Sequence, residues 1–206
     1  MTDANYRAAW VPDDNRERSW EDASGLAIAW IEAEAAEQRA TPLLVTPTRH
    51  QQHGAGPIVE FGHRHQATTP QSDRTRNHRG PVLAFVPGYH EMDLAVRYAR
   101  GSSLAVVESF SCRLFGWAIE VGAVNLVSGE VTEDTRTIQQ REDLDRIHFY
   151  GNNGWAPRHD RAQVADIVGD LIHQPGMSAD VILGCMVARG HGGDAVVRLS
   201  KVIESL

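Results

Sequence analysis

Apolar positions along this chain come in two kinds of run. Pro42-Leu43-Leu44-Val45-Thr46, Pro81 to Val86 and Leu104 to Val107 are short and unbroken, which predicts strands buried on both faces. Trp20, Ala23, Leu26, Ala27, Trp30 and Ile31 instead recur at helical spacing behind Ser19, whose partner Asp22 marks a helix start. A shorter helix follows Pro87-Gly88 through Met92, Leu94, Ala95, Tyr98 and Ala99 and stops at Gly101. Ile58 to Phe61 and Val124 to Val127 predict two weaker strands, and residues 62–80 lose periodicity, which predicts a long loop. From His159 helical spacing takes over and predicts two or three packed helices. Residues 1–18 are polar and read as an arm anchored by Trp10 and Pro12.

Strand, helix, strand at this spacing implies parallel strands with right-handed crossovers, and ligands then bind at the strands' carboxyl ends. The chain of 206 residues is expected to hold one α/β domain over residues 19–206, with 158–206 as a helical carboxyl-terminal part.

Charge narrows the partners. A net charge of −7 and a pI near 5.8 argue against a broad grip on nucleic acid or anionic membrane. Lys201 is the one lysine among 20 basic residues. Cys112 and Cys185 form no CxxC pair, and neither a leader nor an apolar run of about 18 residues is visible, so a reduced, cytoplasmic protein is expected.

One stretch carries candidate chemistry. Glu108 closes the strand at Leu104 to Val107, and Glu120 falls in a following helix with Gly116 one turn earlier on the same face. Such a placement can aim two carboxylates at one crevice, one ionised and the other holding a proton. Gly116-Trp117-Ala118-Ile119-Glu120-Val121-Gly122-Ala123 resembles the glycine-x-alanine-x-glutamate-aliphatic-glycine-x-alanine segment of the nucleoside 2-deoxyribosyltransferase family. It is more distantly similar to the strand-to-helix segment of TIR domains. The resemblance implies a flavodoxin-like fold, and with the pattern above the expectation is a flavodoxin-like parallel sheet with flanking helices and a helical carboxyl-terminal cap. It also implies N-glycosidic cleavage or transfer on a nucleoside or nucleotide, without a cofactor, with Glu120 as the catalytic glutamate and Glu108 assisting. Oxocarbenium-like charge on the sugar is what a nearby carboxylate would stabilise.

Leu114, Phe115 and Trp117 stand where that family has small or polar residues. Trp117 in a sugar pocket would favour a second reading, a non-catalytic domain of the same fold that senses a nucleotide or holds a protein partner. Ser109, Trp117, Tyr89 and His90 join the candidate substrate contacts by position, and Asn152 and Asn153 by amide chemistry beside Trp155. His50, His53, His63 and His65 are ligand types for a metal but match no metal-binding spacing, so no metal is expected. Thr46-Pro47-Thr48-Arg49 lacks a phosphate loop, which excludes a P-loop ATPase. Gly190 to Gly193 reads as a helix break with Asp194 as cap, and homo-oligomerisation stays open.

Overall fold

The computed structural model describes residues 5–53, 56–73, 75 and 77–206. Strands β1 (Arg7–Val11), β2 (Leu43–Val45), β3 (Gln66–Thr68), β4 (Val82–Phe85), β5 (Ser103–Val107) and β6 (Val124–Asn125) form one all-parallel sheet. Their order is β3-β2-β4-β5-β1-β6. With β1 set aside, the others follow the flavodoxin order 2-1-3-4-5. β1 is the added strand, inserted between β5 and β6.

This corrects the expectation of an arm over residues 1–18, of which residues 1–4 lie outside the described residues. Arg7–Val11 pairs with β5 on one side and β6 on the other, and Ala8 to Val11 are buried. Two alanines in five residues give little strand signal, which is why the segment reads weakly as sequence.

Alternate strand residues face opposite layers. Val11, Leu44, Leu83, Ala105 and Val107 pack with α1 (Trp20–Gln38) and α2 (Pro57–Arg64). Trp10, Val45, Ala84, Leu104 and Val106 pack on the other face with α3 (Tyr89–Ala99) and α4 (Phe115–Val121). The α1 start is capped as expected, Ser19 Oγ accepting from the Asp22 N–H. Ile58 to Phe61 is helical rather than a strand. Pro57 occupies the first turn, where its missing N–H is not needed, and Ile58, Val59 and Phe61 are buried. The described part of residues 62–80 holds the end of α2, β3 and a short turn of helix at Pro70–Ser72 rather than one long loop, residues 74 and 76 lying outside the described residues.

The helical cap begins earlier than expected, with α5 (Ile138–Tyr150), followed by α6 (Arg158–Leu171), α7 (Ala179–Ala188) and α8 (Gly193–Glu204). Gly192, not Asp194, is the N-cap of α8. From Val181 onward α7 is wholly buried, as expected of a helix that is apolar all round. Its backbone meets that of α4 at two glycines. A Cβ on Gly184 would stand 2.7 Å from the Trp117 nitrogen, and one on Gly116 would overlap the Val181 carbonyl oxygen. Among the described residues no helix is long and apolar enough to cross a membrane.

Candidate functional site

β1 and β5 are neighbours whose exits diverge, β1 toward α1 on one face and β5 toward α4 on the other. Divergence of this kind opens a crevice at the carboxyl ends of the strands. Here it is a cavity of about 1050 Å³. One wall comes from the segment after β1, with Asp13, Asp14, Arg16 and Arg18; the other comes from the segment after β5, with Phe110, Arg113 and Phe115. Trp10, Trp20 and Glu108 also line it, and Ser178 and Asp180 border it from the start of α7.

Glu108 is buried and fastens the two walls together. Its Oε2 accepts the Asp13 N–H at 2.8 Å, its Oε1 accepts the Leu114 N–H at 2.5 Å, and Arg113 Nη1 lies 3.3 Å from Oε2. Arg113 also donates to the Asp13 carbonyl. Burial raises the Glu108 pKa above the ordinary 4.5, only partly opposed by the two N–H donors and Arg113.

Glu120 does not share that crevice. It is buried beneath the helical cap, with Oε2 2.6 Å from Arg136 Nη1 and Oε1 2.9 Å from Arg189 Nε. Arg136 is held in turn by Asp134 at 2.7 Å, and Arg189 Nη1 lies 2.8 Å from Asp145. Burial alone would raise the Glu120 pKa, but Arg189 and Arg136 outweigh it and hold the carboxyl below the ordinary range. Gly116, expected to leave space beside this glutamate, instead admits the α7 backbone. Glycine and glutamate both serve the joint between α4 and the cap.

The other expected contacts separate. Trp117 is fully buried in the core and donates its Nε1–H to the Tyr6 hydroxyl at 3.1 Å. Burial pushes that hydroxyl's pKa up to about 12. Tyr89 packs against the same core, where burial raises its pKa, and His90 lies under α8, 3.9 Å from Asp194. Asn152 and Asn153 form an exposed turn between α5 and α6, away from the residues that line the crevice.

Ser109 is close to the crevice but faces a neighbouring notch. This second cavity, of about 490 Å³, lies over β4 and is lined by Pro47, Gln51, Phe85, Val86, Ser109 and Ser111, sharing Trp20 and Phe110 with the crevice. His50 and His53 line a separate depression with Ile58, and among the described residues no three His, Cys, Asp or Glu side chains are placed to hold a metal.

Residues 13–18 are the part of the site that sequence reasoning missed. Their signal was a strand-sized Ala8 to Val11 followed by Pro12 and, seven residues later, a helix cap at Ser19. Against family models, curated proteins and solved structures, the chain finds no match.

Proposed function

We propose that this protein is a small-molecule-binding domain that takes a nucleoside or nucleotide in the crevice between β1 and β5. The carrying observation is that the walls of a roomy, aromatic-lined cavity are locked together by Glu108, while Glu120 is committed to Arg136 and Arg189. Pockets of this kind are apolar in bulk and carry a few polar groups that fix orientation. Trp10, Trp20, Phe110 and Phe115 supply ring surfaces, and Arg16 supplies a cation with no hydrogen bond or ion pair among the described residues. Binding without bond cleavage is the reading this supports.

A second reading keeps N-glycosidic cleavage but moves it to Glu108. What favours it is that Glu108, not Glu120, lines the crevice, and that its raised pKa suits a group that holds a proton for a departing base.

Both readings meet in one experiment. The protein is titrated by calorimetry with nucleosides, their phosphates and NAD, and free base is followed by chromatography. Binding with no base released is expected. Base release that Glu108→Gln abolishes would establish the second reading, and no binding with no release would overturn both.

A further inference from the structure

We infer that the notch over β4 is a ring-binding subsite, so that the ligand of the proposed site is bipartite: an uncharged planar ring in the notch and a polar, polyphosphate-free remainder in the crevice. This rests on the small-molecule reading above. The two cavities share Trp20 and Phe110, so one molecule can occupy both across a common wall.

Their linings differ in kind. Among the described residues that line the notch none is charged, and its polar groups are Gln51, Ser109 and Ser111. The serine hydroxyls lie 2.9 Å apart and, with the Gln51 amide, offer both donors and acceptors to a ring edge. Phe110 is 77% exposed, and Trp20 is propped edge-on against Phe85 at 6.1 Å between ring centroids. Exposed aromatic faces around a neutral pocket suit a flat ring.

Backbone strain falls at the same place. Val86, directly after β4, has φ +44°, a conformation that a β-branched residue rarely adopts. It is held there by its own N–H, donated to the Val107 carbonyl at 2.9 Å, and by Pro87 next in the chain. Strain of this type gathers at ligand sites, where the surrounding fold over-determines it.

The crevice disfavours a chain of phosphates. Asp13, Asp14, Glu108 and Asp180 line it, while Arg18 is drawn to Asp14 and Arg113 to Glu108, which leaves Arg16 as the uncommitted cation among the described residues that line it. The nearby start of α1, an element that could cradle phosphate, carries Glu21 and Asp22 in its first turn and spends the Asp22 N–H on Ser19.

The test uses the intact chain, its Phe110→Ala variant and a Phe149→Ala control at an exposed phenylalanine on α5. Adenosine, guanosine, cytidine and thymidine, their 5′-triphosphates, and indole as a ring without a sugar are titrated by calorimetry. At least one nucleoside is expected to bind more tightly than its triphosphate, to lose about tenfold or more in Phe110→Ala, and to be unchanged in Phe149→Ala. If every bound nucleoside stays within twofold in Phe110→Ala, or if every nucleoside that binds is outbound by its own triphosphate, the inference is overturned. If no nucleoside or triphosphate binds, indole decides the notch alone, while the proposed function is decided by the wider titration above: indole binding lost in Phe110→Ala supports a ring seat, and no indole binding, or binding that Phe110→Ala leaves unchanged, overturns it.

Discussion

Glu108 and Glu120 lie 12 residues apart and are equally buried, each about 3% exposed, yet they do opposite work. Glu108 is held by two backbone N–H groups and a half-exposed arginine at the rim of an open crevice. Glu120 sits between two buried guanidiniums inside the joint of α4 with the cap. Their pKa values move in opposite directions, because two buried guanidiniums outweigh desolvation at Glu120, whereas two backbone N–H donors and one half-exposed arginine at Glu108 do not. A glutamate in a strand-to-helix segment is thus defined by what surrounds it, not by its place in a motif.

The strongest way to break this contrast is at the glycine. Gly116→Ala would drive a methyl group into the Val181 carbonyl, and since both partners are backbone the joint must part. A loss of about 4 kcal/mol or more is expected, read from the urea midpoint. Replacing Glu120 with Gln strands two buried cations and should cost about 3–5 kcal/mol. At Glu108 the same change removes one acceptor, leaving the Asp13 or Leu114 N–H unpaired, for about 1–3 kcal/mol. Equal losses at the two glutamates would erase the distinction.

Acid sharpens it. A lowered folded pKa makes the Glu120 contribution present above the ordinary carboxylate range and lost as pH falls through the folded value. Glu108, with its pKa raised, runs the other way and destabilises as pH climbs above 4.5. Stability measured from pH 3 to 7 should therefore show slopes of opposite sign when each glutamine variant is subtracted from the parent. His191 adds a separate term, since burial first, then His148 and Arg189, lower its pKa from 6.5 to about 4. The unfolded chain takes up that proton first, so stability should decline as pH falls from 6.5 toward 4, and His191→Gln should flatten this part of the curve. The smallest effect is at the notch: Val86→Gly relieves the positive φ at the cost of glycine's entropy, for a net gain of about 1 kcal/mol.

Much of the frame was legible in the sequence. The runs at Leu43, Val82 and Leu104 are strands because they lie between two helical layers, and Ser19 and Asp22 start α1 as their chemistry requires. β1 was hidden because Ala8 and Ala9 are poor strand formers, and α2 was misread because Pro57 can open a helix as well as close a strand. The site was half legible. Glu108 could be placed at a strand's end from local pattern alone. The partners of Glu120 could not, since Arg136 and Arg189 stand 16 and 69 residues away and only the folded cap brings them in. The crevice wall at Asp13 to Arg18 disappeared with the strand that precedes it.

The insertion of β1 between β5 and β6 has a kinetic consequence. Its partners, Ser103 to Val107 and Val124 to Asn125, follow it by roughly a hundred residues, so its ladder is among the least local in the sheet. On a ribosome adding about 5–20 residues each second, the segment waits on the order of ten seconds before either neighbour exists. An alanine-rich strand that pairs poorly with strangers is well suited to that wait, and residues 7–11, together with β6, which joins the sheet through them, should be the last part of the sheet to gain hydrogen-exchange protection during refolding.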